Sequence, residues 1–197
     1  MKYHNITKAD MLNGEGLRVV LWTSGCSHKC PGCHNAVTWN KDDGLLFDAA
    51  AKNEIFEELE KEWCSGLTLS GGDPLFPDSR EEIAKLVKEV KERYPNKTIW
   101  CYTGFIWEEL IPQMEKDKNL EMIINNIDVL LDGKFILRLA LEKLQYVGSS
   151  NQNIIDVKKS LEKDKKILYI DNNKLLEGED IWKHVDLKLL KDGKIKG

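Results

Sequence analysis

No stretch of this chain approaches the ~20 consecutive apolar residues that a membrane-crossing helix needs. Residues 1–14 are polar and lack the apolar core of a secretory signal, so a chain that stays in the cytoplasm is expected. Positive charge is not in excess either. Lys and Arg total 29 against 33 Asp and Glu, a net charge of −4, which excludes binding to nucleic acid by charge alone. There is no internal repeat, no low-complexity tract and no convincing linker, so residues 1–197 are read as one domain. What is present is ordinary for a packed domain: 42% hydrophobic and 31% charged residues.

Cysteine is also scarce, five in 197 residues, and a reducing compartment makes disulfides an unlikely use for them. Cys64 and Cys101 stand alone and read as small apolar residues. The other three, Cys26, Cys30 and Cys33, fall within eight residues as C-x3-C-x2-C. Pro31-Gly32 between the last two forces a tight turn and allows close backbone approach to a ligand. Three thiolates on one loop cannot fill four metal positions, so one position stays open unless His28 or His34 takes it. Structural zinc completed by one of those histidines is one reading. Unligated cysteines are a second, and a four-iron cluster with one iron free of protein is a third. No second C-x2-C or H-x3-H knuckle exists to complete a zinc site, and the spacing favours the cluster.

Around this loop the pattern alternates strand and helix. Residues 17–23, 67–70, 97–102 and 127–131 are β-branched or apolar runs closed by turn residues, and 166–170 reads as a late strand. Helices are expected over 47–63, with Phe47, Ala51, Ile55, Leu59 and Trp63 inward, and over 79–94, with Glu81/Lys85 and Glu89/Arg93 supporting it outside. A third begins near Ile106 and contains Pro112, and a short one is expected over 154–161. Trp22, Trp63 and Trp100 read as core, whereas Trp39, Trp107 and Trp182 are candidates to face a partner. The class is α/β with parallel strands. At five or six strands and below the ~250 residues of a complete eightfold barrel, an open, partial (βα) barrel is predicted. The cysteine loop, Gly71-Gly72-Asp73, Thr103-Gly104 and Asp132-Gly133-Lys134 each follow a strand, which places them on one rim at the carboxyl ends.

C-x3-C-x2-C after a first strand resembles the radical S-adenosylmethionine superfamily. Asn13-Gly-Glu-Gly-Leu-Arg18 and Ser24-Gly-Cys-Ser-His-Lys-Cys-Pro-Gly-Cys-His-Asn35 narrow the resemblance to activating enzymes of glycyl-radical proteins. Leu69-Ser-Gly-Gly-Asp-Pro74, Ile99-Trp-Cys-Tyr-Thr-Gly104, Asp128-Val-Leu-Leu-Asp-Gly-Lys-Phe135 and Gly148-Ser-Ser-Asn-Gln152 are similar to the branch whose partner is anaerobic ribonucleoside-triphosphate reductase. The similarity covers about residues 14–156, and the extension 157–197 matches nothing. Two departures are small: Asp73 stands where many superfamily members carry Glu, although Gly-Gly-Asp-Pro is common in this branch, and Glu15 where relatives often have Pro.

The resemblance implies a radical S-adenosylmethionine fold and a 4Fe-4S cluster on Cys26, Cys30 and Cys33, its fourth iron holding the methionyl end of S-adenosylmethionine. It implies that Gly32, Cys33 and His34 meet the adenine and that Gly71, Gly72 and Asp73 meet the methionyl amino group. Lys134 would neutralise the cofactor carboxylate, with Asp132 near the sulfonium or a bound cation; read alone, that pair is a surface turn. Asn151 and Gln152 reach the ribose or the incoming substrate loop, or belong to a plain polar loop. His28 and Lys29 read as solvated spacers. The implied reaction is reductive cleavage of S-adenosylmethionine, the resulting radical taking hydrogen from a glycine of the reductase, with a donor such as flavodoxin. Activation of another glycyl-radical protein, of formate-lyase type, and a zinc-binding interaction module are the alternatives.

Overall fold

The computed structural model describes residues 1–172. Its elements in chain order are β1 (Lys2–Asp10), β2 (Leu17–Thr23), β3 (Leu45–Leu46), α1 (Ala49–Leu59), β4 (Cys64–Gly71), α2 (Arg80–Arg93), β5 (Thr98–Tyr102), α3 (Trp107–Met114), α4 (Lys118–Asn126), β6 (Val129–Asp132), β7 (Asn153–Asp156), α5 (Val157–Glu162) and β8 (Leu168–Ile170). The strands form one open sheet of eight in the order β3-β1-β2-β4-β5-β6-β7-β8. β2, β4, β5 and β6 run parallel at its centre. The outer strands β1, β3, β7 and β8 are antiparallel to their neighbours. The architecture is therefore mixed α/β: a parallel centre within a sheet that does not close.

The central strands are near-continuous apolar runs because both of their faces are covered. Val20, Leu21, Leu67, Leu69, Ile99, Leu130 and Leu131 are fully buried, each stabilising the fold by roughly 1.5–3 kcal/mol relative to exposure. The register aligns Thr23 with Gly71 and carries Leu69 across to Cys101 and Leu130, so the carboxyl ends of the four strands share one rim. At the opposite end Arg18 is wholly buried. It donates to the carbonyls of Glu15, Leu67 and Thr98 and to the hydroxyls of Thr68 and Thr98. Burial lowers its pKa to about 10, so the guanidinium stays charged at neutral pH.

Several expectations change. The predicted helix over 47–63 ends at Leu59, because the chain turns through a Cys64 N–H to Lys61 carbonyl bond of 3.1 Å and enters β4 early. Trp63 is left 45% exposed under the Lys61 ammonium, not in the core. Trp22 is half-buried, its indole N–H donating to Thr7, whereas Trp100 is core as expected. Trp107 is buried and so does not face a partner, Trp39 lines the cleft described below, and Trp182 lies outside the described residues. Residues 154–156 are strand; the helix begins only at Val157, where the Asp156 carboxylate accepts the Lys159 N–H. β1 and α4 were not expected. β1 is a polar strand between β2 and the two-residue β3, with a bulge between Tyr3 and Asn5 that breaks its alternation. α4 is short, capped by Asp117, and buries Leu120, Ile123 and Ile124. α2 forms as predicted, with ion pairs Glu81–Lys85 and Glu89–Arg93, and α3 runs through Pro112 to Met114.

Candidate functional site

The chain leaves β2 through Ser24 and Gly25 and is pinned at once on two sides. Gly25 N–H donates to Thr38 and Cys26 N–H to Trp39, tying the start of the cysteine loop to its returning end. Gly72 N–H donates to the Thr23 carbonyl and Asp73 N–H to the Gly25 carbonyl, both at 2.8 Å, tying the loop to the end of β4. Cys33 N–H closes a turn onto the Cys30 carbonyl over Pro31-Gly32, and Asn35 N–H points at Cys33 Sγ from 3.4 Å. Such N–H to sulfur bonds suit a thiolate ligand, whose charge they help to spread.

Cys26, Cys30, Cys33 and His34 line an open, solvent-facing cleft. Gly71, Gly72, Thr103, Gly104, Gly133 and Lys134 form its other wall. Strand ends far apart in sequence thus meet the cysteines at one place. Gly71 and Gly72 have a reason of their own to lack side chains. A Cβ on Gly71 would lie 2.4 Å from the Thr23 nitrogen, and one on Gly72 would lie 2.4 Å from the Gly25 carbonyl oxygen. Close packing of the chain on itself requires both glycines, apart from any ligand.

Three residues singled out from the sequence do not line the cleft. Gly32 packs against Leu137. Asp73 is 1% exposed, and its carboxylate accepts from Leu75 N–H, Gly104 N–H and the Thr103 hydroxyl and contacts the His28 ring. Asp132 is fully buried and accepts from Trp107 N–H, Asn153 N–H and the Asn153 amide. Both carboxylates are occupied by the chain and act on the cleft by fixing the loops that line it. Asn151 and Gln152 close the 148–152 loop onto this wall, donating to the carbonyls of Lys134 and Gly133. Gln152 also lines the cleft.

His28 also lines the cleft, a position that spacing did not reveal. It is no solvated spacer: its ring is turned inward and only 7% exposed, whereas Ser27 and Lys29 are outside. No sequence signal announces this, because the ring meets the Asp73 carboxylate and the Phe105 ring, partners that lie far away along the chain. Burial raises the Cys26 thiol pKa, and a bound metal would reverse this by taking the thiolate. Cys101 is fully buried and pushed well above the ordinary thiol range by that burial, which leaves it inert. Cys64 is buried with its thiol against the Gly66 carbonyl. Among the described residues no three His, Cys, Asp or Glu side chains meet at a position for a single ion.

Three cysteines of one loop, lining a cleft at the carboxyl ends of parallel strands, fit the iron–sulfur class of protein. The family described as a 4Fe-4S single cluster domain matches residues 12–155. An anaerobic ribonucleoside-triphosphate reductase-activating protein of Enterobacteria phage T4 is 46% identical over 78% of this chain and 93% of its own length. Its namesakes in Haemophilus influenzae and Escherichia coli K12 are 42% and 40% identical, with 97% and 96% of their lengths covered. The chain belongs to the family of anaerobic ribonucleoside-triphosphate reductase-activating proteins.

Proposed function

We propose that this protein activates an anaerobic ribonucleoside-triphosphate reductase by producing a glycyl radical on it, through reductive cleavage of S-adenosylmethionine at a 4Fe-4S cluster. The observation that carries the reading is the cleft itself. Three thiols from one loop face two glycine-rich strand ends, with no fourth cysteine on its wall. Cys26, Cys30 and Cys33 would each hold one iron, and three cysteines on one loop without a second cysteine or histidine knuckle suit that division better than one tetrahedral zinc. The chain's own chemistry fits this load: the three cysteines line the cleft, and an N–H already points at Cys33 Sγ. When bound, the cluster and S-adenosylmethionine supply an electron and a carbon-centred radical able to take hydrogen from a glycine α-carbon.

The protein's part is to hold and shield. The turn at Gly32, Cys33 and His34 presents backbone to the adenine. The rim at Gly71 and Gly72 lies near the methionyl amino group, and Asp73 acts through the backbone it fixes. Lys134, exposed at the cleft, offers its ammonium to the cofactor carboxylate, and Asp132 sets the direction in which the Gly133-Lys134 turn leaves β6. The sheet is read as the partial barrel of radical S-adenosylmethionine enzymes, residues 1–197 as one domain, the cytoplasm as its compartment, and a flavodoxin-like protein as electron donor. Among the described residues no helix is long and apolar enough to cross a membrane.

The test is anaerobic. Reconstituted protein is expected to carry about four irons per chain and little zinc. Reduced and mixed with S-adenosylmethionine and the reductase, it is expected to give a glycyl doublet by electron paramagnetic resonance. A colourless zinc protein would sink the reading. A doublet with a formate-lyase-type partner but none with the reductase would move it to that partner.

A further inference from the structure

We infer that His28 is a positioning residue: clasped to Asp73, it fixes the cysteine loop against the ends of β4 and β5 and so sets where the open iron stands relative to the glycine rim. This rests on the function proposed above. His28 sits midway between Cys26 and Cys30, so its position governs both ligands. Its Nε2 lies 2.8 Å from Asp73 Oδ2. Its ring meets Phe105 edge-on with centroids 4.6 Å apart. A Cβ on Gly104 would come within 2.3 Å of the same ring, so the glycine after Thr103 is matched to the histidine.

The other partners of Asp73 explain why the clasp has a fixed end. Leu75 N–H, Gly104 N–H and the Thr103 hydroxyl all lie where the chain leaves β4 and β5, and they hold the carboxylate still. Of its partners, His28 alone belongs to the cysteine loop. An aspartate suits this role because its short side chain keeps the carboxylate at the foot of the loop, behind the cleft wall rather than in the cleft. The aspartate at position 73 and the histidine at position 28 are thus two halves of one device. Outer-shell partners of this kind typically change ligand affinity or activity 10–100-fold when removed.

The experiment compares His28→Phe, which keeps a ring but loses the donor, with His28→Gln, which keeps an N–H donor. Both are made in the full chain and reconstituted anaerobically. S-adenosylmethionine is titrated against the paramagnetic resonance spectrum of the reduced cluster. We expect both variants to load iron, His28→Phe to need about tenfold more cofactor or worse, and His28→Gln to stay within about threefold of wild type. Wild-type titration by His28→Phe, or equal failure of the two variants, overturns the clasp. Amide exchange across residues 26–34 of the metal-free protein is the second readout, useful if a variant fails to load. Exchange should quicken in His28→Phe and not in His28→Gln, and unchanged rates would overturn the clasp. If wild type itself ignores S-adenosylmethionine, the proposed function fails, while the exchange comparison still judges the clasp.

Discussion

Two buried side chains, Arg18 and Asp73, organise opposite ends of the same strands. Arg18 satisfies the Leu67 and Thr98 carbonyls where β4 and β5 begin; Asp73 ties down the loops where they end. Arg18→Ala would strand those acceptors and leave a cavity. A loss of about 3 kcal/mol or more in urea unfolding is expected. Replacing Cys26, Cys30 or Cys33 by Ala should abolish iron loading, whereas Cys64→Ala and Cys101→Ala should keep it, as read by iron analysis. Loss of iron in Cys64→Ala would refute the ligand set. At this scale spacing revealed the thiols, because ligand geometry is written in local sequence. It did not reveal the directions of His28, Asp73 and Asp132. Those depend on which strand end lies opposite, a fact of tertiary structure.

Among the elements, strands and helices with long apolar patterns were legible, and α2 formed within a residue of its expected ends. The misses share a cause. The four-residue spacing that included Trp63 continued past the helix because a surface indole and a buried one look alike in a pattern. Ile154 and Ile155 belong to a four-residue strand too short to show alternation beside the helix that follows. The caps give a prediction here. Burial alone would raise the carboxyl pKa values of Asp117 and Asp156. Two backbone N–H groups and Arg80 for Asp117, and the side chain and N–H of Lys159 for Asp156, outweigh it and hold both below the ordinary value. Such groups bind fewer protons folded than unfolded. Their stabilisation is complete above pH ~4 and is lost as pH falls through the lowered folded values. Melting temperature should therefore drop steeply below pH ~4, and less steeply in Asp117→Asn. Equal steepness in that variant would rule out the contribution. At the rim, Gly72→Ala would press a methyl group onto the Gly25 and Thr38 carbonyls. The expected cost is about 2–4 kcal/mol with impaired iron loading, checked by unfolding and iron analysis.

For the whole molecule, the alternation of strands and helices made a parallel sheet legible, and with it the rule that sites gather at carboxyl ends. The antiparallel margins were not legible, because β1 is polar and β7 is brief. They meet the rim at their ends, where the Lys2 carbonyl accepts Ser24 N–H and Asn153 donates to Asp132, so the parallel centre was legible although the sheet's full extent was not. The rim matters because four separated segments supply its surface, and each is tied to a neighbour: Cys26 to Trp39, Gly72 to Thr23, Gly104 to Asp73 and Gln152 to Gly133. A cleft whose segments are tied to one another in this way suits a reaction whose control lies in orientation. Electron–nuclear double resonance on the reduced, iron-loaded protein, with S-adenosylmethionine carrying 15N in its amino group, tests directly whether that cleft leaves one iron for the cofactor. The account predicts a 15N coupling to the cluster that vanishes when the cofactor is withheld. Full iron loading with no 15N coupling would contradict it.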